Sequence, residues 1–483
     1  PQANEELEKL ARRMGYEPAG PRHATSARSR FQSDLRSKAQ LNRRILDHIL
    51  HEAFRDDEET TAEPETDLVL APEPDEATVA AVLGRYPFRD SQAAFSNLVE
   101  LGREPVPFLS TPRCRHFLAS IAPRLLRELA TTPDPDMALL NLEKVTTSLG
   151  ARGALWELFS FNPPTLKLCV ELCAWSQFLS QILINNPGMI DDLMDSLVLN
   201  QPRSLPELRA ELTDLCRGAE DMEPILHSFK DKELLRIGVR DILGKDTLSD
   251  TTLALSDVAE VVLGKIVEHE FTDLVNRLGE PTIEEGPRAG EPSRLVVMAL
   301  GKFGGQELSY HSDLDVIFIY ESDGQTRIRG RRRGWEPTSN FHFYSELGTR
   351  IMRASGGMGP HGRLYAIDPR LRPTGRSGSL VIPLDQFVRY HESGTAALWE
   401  RQILTKARAV FGDAEFARTV AAAAESAAYG AEWKPELADE IFAVRQRLEE
   451  SRSEQDLKRG FGGIVDIEFL VQMLQLKHGA TDP

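Results

Sequence analysis

The sequence predicts an α+β protein that is mostly helical. From about residue 77 to 285, apolar residues recur with the spacing of one amphipathic helix after another. Near residue 295 the pattern changes to short apolar runs separated by glycine turns, which is typical of strands. Helical spacing returns from about residue 387. At 483 residues, the chain is long enough for more than one domain.

The composition excludes several classes of protein. A net charge of −17 argues against a nucleic-acid-binding protein that relies on a basic surface. No apolar run approaches the roughly 20 residues that a membrane-spanning helix needs. The 4 cysteines are too few for a disulfide scaffold, and they fit a reducing compartment. We therefore expect a cytoplasmic protein that binds neither nucleic acid nor membrane.

The first 285 residues divide into three predicted segments. Residues 1–55 read as a helical segment. Residues 56–76 are acidic and rich in proline, so their composition predicts a flexible linker or an exposed loop. Residues 77–285 are predicted to form a helical linker or scaffold domain without catalytic residues. The Pro- and Gly-rich segment 280–292 marks its end.

The remainder divides into two further segments. Residues 286–412 are predicted to form an α/β catalytic domain, and residues 413–483 to begin a helical bundle that the end of the chain cuts short. In the catalytic domain, Asn340 to Ser355 reads as an amphipathic helix. Phe387 to Val410 is also predicted to be helical.

Five arginines lie between Arg327 and Arg333. They could hold a triphosphate or an acidic protein surface. For ATP binding we favour the alternative, a solvated and mobile insertion, because flexible loops place charges poorly.

The functional prediction depends on the stretch from Leu295 to Tyr320. Two apolar runs of strand length are separated there by a glycine turn, and two aspartates open the second run. The candidate residues are Gly301, Lys302, Gly304, Gly305, Ser312, Asp313 and Asp315. Because side chains alternate along a strand, Asp313 and Asp315 should point to the same side.

This arrangement of acids and glycines favours a particular chemistry. Two carboxylates on one side of a strand repel each other unless a cation lies between them, and oxygen ligands suit a hard ion such as Mg²⁺. Glycines let backbone N–H groups face phosphate oxygens. An isolated pair of aspartates would more often cap a strand at the surface. Combined with the glycine turn and the flanking strands, the pair favours nucleotidyl transfer.

A third carboxylate is predicted about fifty residues later. Leu364 to Asp368 reads as a strand, and Asp368 could bind a metal and accept the proton of an attacking hydroxyl group. Arg370 and Arg372 follow on the same face of an extended chain, where a guanidinium could neutralise phosphate. The alternative is a structural ion pair with the aspartates. The sequence does not separate the two arginines.

These motifs resemble a known family. Gly-Lys-Phe-Gly-Gly-Gln-Glu-Leu at 301–308 and Ser-Asp-Leu-Asp at 312–315 closely resemble the signature of glutamine synthetase adenylyltransferases. Asp-Pro-Arg-Leu-Arg-Pro at 368–373 and the stretch 458–469 are similar to two further motifs of that family. The family belongs to the DNA polymerase beta-like nucleotidyltransferases, so the resemblance implies a mixed sheet flanked by helices.

The resemblance also implies an activity. Family members transfer AMP from ATP to a tyrosine of glutamine synthetase and release pyrophosphate. Asp313, Asp315 and Asp368 would bind two Mg²⁺ ions, and glutamine synthetase would be the protein substrate. The PII signalling protein and glutamine are the effectors that the resemblance implies. The full-length proteins are bifunctional, and this chain is most similar to the C-terminal, adenylylating half. Residues 1–55 would then be the tail of the other half.

Three points stay open at this level. The same kind of site could remove AMP by phosphorolysis. The chain could instead be a non-catalytic module that binds glutamine synthetase and PII. Asp466 and Glu468, in the stretch 458–469, could hold the arginine run or the adenine amino group.

Overall fold

The computed structural model describes residues 2–17, 26–51, 63–71, 73–105, 111–190, 202–328, 336–360, 362–450 and 456–480. Over these ranges the protein is α+β and mostly helical, which confirms the predicted fold class. It divides into two compact units, Pro1–Pro187 and Gly188–Pro483. The division falls inside the segment 77–285 that was predicted as one scaffold.

The first unit is helical throughout its described part. Its helices are α1 (Gln2–Arg13), α2 (Ala27–His51), α3 (Pro64–Leu70), α4 (Glu76–Leu83), α5 (Ser91–Leu101), α6 (Thr111–Ala130), α7 (Pro135–Leu149), α8 (Arg152–Phe161), α9 (Pro163–Trp175) and α10 (Gln177–Asn185). The side chain of Trp156 is fully buried in α8, and its indole N–H donates to the carbonyl of Leu101 at 3.1 Å.

Helix α3 corrects part of the predicted acidic linker. Leu68 is buried, the hydroxyl of Thr66 donates to the Ala119 carbonyl at 3.1 Å, and the Tyr86 hydroxyl donates to Glu65 at 2.8 Å. Pro64 occupies the first helical position, where its missing N–H costs nothing. Composition alone missed this helix because its stability comes from packing on α6. Residues 52–62 lie outside the described ranges.

The second unit consists of a sheet and the helices that pack around it. The helices are α11 (Leu205–Leu215), α12 (Glu223–Ile242), α13 (Leu248–Leu278), α14 (Gly301–Gly304), α15 (Asn340–Gly356), α16 (Leu384–Glu392), α17 (Leu398–Leu404), α18 (Ala414–Tyr429), α19 (Glu436–Glu449) and α20 (Ile464–His478). The strands are β1 (Glu280–Pro281), β2 (Leu295–Ala299), β3 (Leu314–Tyr320), β4 (Thr326–Arg327), β5 (Ile367–Asp368), β6 (Val381–Pro383) and β7 (Arg408–Phe411).

Strands β2, β3, β5, β6 and β7 form a mixed five-stranded sheet in which β3 is central. It pairs antiparallel with β2 and parallel with β5 and β6. Ile317 and Ile319 face a core built with helices α16–α18. On the opposite face, Tyr320 stacks on Tyr344 of α15 with ring centroids 4.9 Å apart. Helices therefore cover both faces of the sheet.

The predicted helix over Phe387 to Val410 is wrong. The chain forms α16, turns at Gly394 with φ +72°, forms α17 and then enters strand β7. Strand β7 pairs antiparallel with β2, about 110 residues earlier in the sequence. Four residues with an apolar centre fit either a helix or a strand, and only this non-local pairing decides between them.

The last three helices divide between two cores. Helix α18 packs on the sheet through Phe416 and Val420. Helices α17, α19 and α20 share a separate small core around Leu398, Ile441 and Leu476. None of the helices in the described ranges is long and apolar enough to cross a membrane. All 4 cysteines are buried free thiols.

A buried acid on α13 supplies a stability prediction. Burial and the neighbouring Glu260 raise the pKa of Asp257 to about 6. The folded state therefore holds the proton more tightly than the unfolded chain, whose Asp pKa is about 3.9. Stability falls as the pH rises from about 4 to 6 and remains lower above that window. Asp257→Asn should thus raise the melting temperature at pH 7.5, with little effect at pH 4.

Asp250 on the same helix is the matched control for Asp257. Its carboxylate accepts from the backbone N–H of Thr247 at 2.9 Å and closes a capping box, which lowers its pKa. Asp250→Ala should therefore lower the melting temperature at pH 7.5. Thermal unfolding of both variants at the two pH values tests the contrast. A lower melting temperature for Asp257→Asn at pH 7.5 would contradict the prediction.

Candidate active site

Two aspartates lie side by side on neighbouring parallel strands. Strands β3 and β5 pair with Asp315 directly opposite Asp368. The N–H of Leu314 donates to the carbonyl of Ala366 at 2.8 Å and supports this register. Paired residues of adjacent strands project from the same face of a sheet. Asp313, two residues before Asp315, shares that face and is exposed. Asp315 and Asp368 therefore belong to one face of the sheet, and Asp313 lies just before β3, close enough for its charge to act on Asp315.

The glycine turn packs directly against the first of these acids. Gly301 has φ +53°, and a Cβ at that position would lie 2.7 Å from Oδ2 of Asp315. The N–H of Leu300 donates to the Asp315 carbonyl at 2.9 Å. Gly304 is buried against the carbonyl groups of Lys406 and Ala299, where any Cβ would collide. The turn can approach the strand this closely only because these positions lack side chains.

Electrostatics set the two paired aspartates apart. Burial raises the pKa of Asp315 to about 6, and the charges of Asp368 and Asp313 add to the rise, whereas Arg370 and Lys458 oppose it. The pKa of Asp368 is lowered, chiefly by its hydrogen bonds with Arg370. For Asp315, burial and the two neighbouring acids therefore outweigh the positive charges of Arg370 and Lys458, whereas Asp368 is directly hydrogen-bonded to a cation.

The structure separates Arg370 from Arg372, which the sequence did not. The Nε of Arg370 lies 2.7 Å from both carboxylate oxygens of Asp368, and its backbone N–H donates to Oδ1 at 2.9 Å. Arg372 instead donates to the carbonyls of Gly378 at 3.0 Å and Pro369 at 2.8 Å. Arg370 is thus at the carboxylates, and Arg372 holds the loop that follows β5.

The other candidates have structural contacts or lie to one side. The hydroxyl of Ser312 accepts from the N–H of Ser309 at 3.0 Å and closes the turn before β3. Lys302 lies in the first turn of α14, half-buried. A Cβ on the exposed Gly305 would be 3.0 Å from Oε1 of Glu307. Arg327 lies in β4, and the arginines from 329 to 333 fall outside the described residues.

The three carboxylates offer only oxygen ligands to a metal. Oxygen-only ligands on adjacent strands fit a hard divalent cation. The pKa of Asp315 is raised first by burial and then by the charges of Asp368 and Asp313, and a cation would neutralise those charges. In the described part of the chain, no three His, Cys, Asp or Glu side chains lie close enough together to hold a metal ion. Asp368 is engaged by Arg370 instead. The acids therefore suit a divalent cation by their oxygen ligands and by the pairing of Asp315 with Asp368 on adjacent strands.

Comparison with known proteins identifies the family. The sequence profile of the glutamate-ammonia ligase adenylyltransferase family matches residues 166–423, more than half of the chain. The chain belongs to this family. A bifunctional glutamine synthetase adenylyltransferase/adenylyl-removing enzyme from Thioalkalivibrio sulfidiphilus (strain HL-EbGR7) is 33% identical over 413 residues. That match covers 83% of this chain and 42% of the relative, so the chain spans less than half the relative's length.

In this adenylyltransferase-family chain, Asp466 and Glu468 each have a partner outside the arginine run. Asp466 pairs with the buried Arg445, and its Oδ2 accepts from the N–H of Gly462 at 2.7 Å. Glu468 lies 3.5 Å from Nζ of Lys406. Arg327 is the one arginine of the run that the structure describes, and it pairs with neither of these acids.

Sequence reasoning missed the roles of two cations near the site of this family member, Lys458 and Arg445. Lys458 carries a charge close enough to Asp315 to affect its pKa. For Lys406 the sequence left open a phosphate contact and the end of a surface helix, and in the structure it bridges Glu468 and Glu307. Arg445 was not singled out. The similarity of 458–469 to a family motif was the available signal, but it did not indicate which strand this segment approaches.

Arg445 supplies a prediction for the end of the chain. It is 5% exposed, donates to the Gly460 carbonyl at 2.9 Å and pairs with Asp466. Arg445→Ala would remove a buried donor from the Gly460 carbonyl and the partner cation of the half-buried Asp466, at a cost of about 1–3 kcal/mol. Thermal unfolding should show a clearly lower melting temperature. Arg447→Ala, at an exposed position of the same helix, is the control and should change it little. Equal melting temperatures for both variants would contradict this role.

Proposed function

We propose that this chain is an adenylyltransferase that transfers AMP from ATP to a tyrosine of glutamine synthetase and releases pyrophosphate. The observation that carries the proposal is the register pair of Asp315 and Asp368 above Gly301. Family membership supplies the reaction class. The resemblance of the motifs to the adenylylating half supplies the direction.

Asp313, Asp315 and Asp368 are the residues that would hold Mg²⁺. When bound, the metal stabilises negative charge on the phosphate oxygens and on the attacking and leaving groups. Asp315 is the acid whose pKa burial and like charge raise, so a cation beside it relieves the greatest repulsion.

Asp368 and Arg370 have linked roles in this proposal. The side chain of Arg370 is 55% exposed, so it can rotate from Asp368 towards a phosphate group. Its departure removes the hydrogen bonds that keep the pKa of Asp368 low, and the carboxylate becomes a better proton acceptor. Asp368 then takes the proton of the attacking tyrosine hydroxyl. Arg370 meanwhile neutralises charge as pyrophosphate leaves.

Two incubations test the direction of the reaction. The chain with Mg²⁺, ATP and unmodified glutamine synthetase should yield AMP-modified glutamine synthetase, detected by the mass of the tyrosine-containing peptide. The chain with phosphate and AMP-modified glutamine synthetase should leave the modification in place. Removal of AMP in the second mixture, with none added in the first, would establish phosphorolytic deadenylylation instead.

The name of the relative includes both activities, so deadenylylation is the alternative. A non-catalytic module that binds glutamine synthetase and PII is the third reading. Mg²⁺-dependent binding of ATP would count against a purely non-catalytic role. We further propose that PII and glutamine act as effectors and that the protein works in the cytoplasm. Pull-down of PII by the chain, with and without glutamine, tests the effector proposal.

A further inference from the structure

A tightly held loop precedes the last helix. We call residues 456–463 the lysine loop. The carbonyl of Lys458 accepts from the N–H of Val465 at 3.0 Å, which ties the loop to the first turn of α20. The guanidinium of the buried Arg445 donates to the carbonyl of Gly460 at 2.9 Å. The backbone of the lysine loop is therefore fixed, and the side chain of Lys458 extends from it into solvent.

The lysine loop lies next to the glycine turn. Helix α20, which begins where the loop ends, carries Glu468, whose carboxylate is 3.5 Å from Nζ of Lys406. The same Nζ is 2.7 Å from Glu307 at the end of the turn. The carbonyl of Lys406 is one of the atoms against which Gly304 packs. Contacts therefore run without interruption from α20 to the turn beneath Asp315.

The cations around the site differ in their partners. Arg370 is bound to Asp368, and Lys406 is bound to two glutamates. Lys458 is exposed and makes no ion pair within 4.0 Å among the residues that the structure describes. Its charge nevertheless reaches Asp315. Lys458 therefore lies exposed on a loop that is joined to the glycine turn through α20 and Lys406, and its ammonium group is available to an anion.

The N-terminus of α20, unlike the side chain of Lys458, is not available to an anion. A helix N-terminus commonly attracts anions through its first N–H groups. Here Asp466 accepts from the N–H of Gly462 at 2.7 Å and places a carboxylate at that end. An incoming phosphate would meet this negative charge. The anion-binding capacity of the segment therefore lies in the side chain of Lys458.

We propose that Lys458 binds the phosphate chain of the nucleoside triphosphate, beyond the α-phosphate, an inference that rests on the proposed function. Lysine acts as a point charge on a flexible stem, so it can follow the β- and γ-phosphates without a fixed fork geometry. A charge-assisted hydrogen bond from a fixed loop offsets repulsion between the phosphates and the three aspartates. Adenosine and AMP lack the phosphates that this contact requires.

Equilibrium binding by calorimetry tests this assignment on the whole chain. Lys458→Met should weaken binding of Mg²⁺–ATP by about ten- to a hundredfold, the loss expected for one hydrogen bond to a charged group. The affinity for AMP should not change. Lys458→Arg should restore most of the ATP affinity because it keeps the charge. Lys477→Met, at an exposed position on α20, is the matched control and should bind ATP as the unmodified chain does.

The outcomes separate this inference from the proposed function. Unchanged ATP affinity in Lys458→Met would overturn the inference, as would equal losses for ATP and AMP. If Lys458→Met binds ATP normally but Asp315→Asn loses AMP transfer, the inference about Lys458 fails and the proposed function stands. An unmodified chain that binds no ATP would overturn both.

Discussion

Asp315→Asn should abolish AMP transfer while leaving the chain folded and, without metal, more stable than the unmodified protein. The carboxylate is opposite Asp368 on β5 and packs against Gly301. An amide is a neutral and weaker ligand for Mg²⁺, so transfer should fall by about a thousandfold or more. The same change removes one of three like charges from a partly buried position, which relieves repulsion in the metal-free state.

The gain in stability has a defined pH window. The pKa of Asp315 is about 6 in the folded chain, above the value of about 3.9 for an unfolded aspartate. The folded state binds more protons between these values, so the metal-free protein loses stability as the pH rises from about 4 to 6. An asparagine side chain does not ionise in this pH range. The difference in melting temperature between Asp315→Asn and the unmodified chain should therefore be largest above pH 6.

Transfer assays and thermal unfolding on the same preparations measure both effects. Asp385→Asn, an exposed acid that pairs with Arg389 in the same unit, is the control and should retain activity. Retained transfer in Asp315→Asn would remove the basis of the proposed function. Loss of transfer together with a lower melting temperature would point to misfolding rather than to a lost metal ligand.

Gly301→Ala is expected to reduce transfer by about a hundredfold or more, because of where its methyl group must go. The new Cβ would start 2.7 Å from Oδ2 of Asp315, closer than such atoms pack. The carboxylate has to move, and with it the register pair to Asp368. The φ of +53° adds strain of roughly 1–2 kcal/mol for an alanine. Steady-state transfer assays should show the loss mainly in kcat.

Gly305→Ala is the matched control, four residues further along the same turn. Gly305 is exposed and does not need a positive φ. Its Cβ would meet the side-chain ends of Glu307 and Lys406, which can shift. Transfer close to that of the unmodified chain is expected. Equal losses in Gly301→Ala and Gly305→Ala would show that the turn, rather than its contact with Asp315, is what the reaction needs.

Local patterns predicted most of the elements of this fold. The strands at β2 and β3 and the helix α15 follow directly from short apolar runs and from helical spacing. The pattern failed at β7, which was assigned to a long helix, and at α3, which was assigned to a linker. Both elements owe their conformation to a partner distant in sequence, β2 for the strand and α6 for the helix. Local sequence patterns do not indicate which distant elements will pair.

The candidate site shows the same division. The sequence singled out Asp313, Asp315 and Asp368 through the side-chain period along a strand and the chemistry of oxygen ligands, and their role as metal ligands stays a prediction. The different contacts of Arg370 and Arg372 could not be predicted, because an extended chain places both on one face. The bend of the loop after β5 separates them.

By itself the sequence determined the acids, the glycine turn and the mostly helical α+β class, since these depend on residue type and on spacings of a few positions. Only the tertiary structure decided that Asp368 lies opposite Asp315 and that the charge of Lys458 acts on the pKa of Asp315. These groups are separated by some fifty and some ninety further residues along the chain. Strand register and helix packing, which bury apolar surface over the whole unit, bring them together.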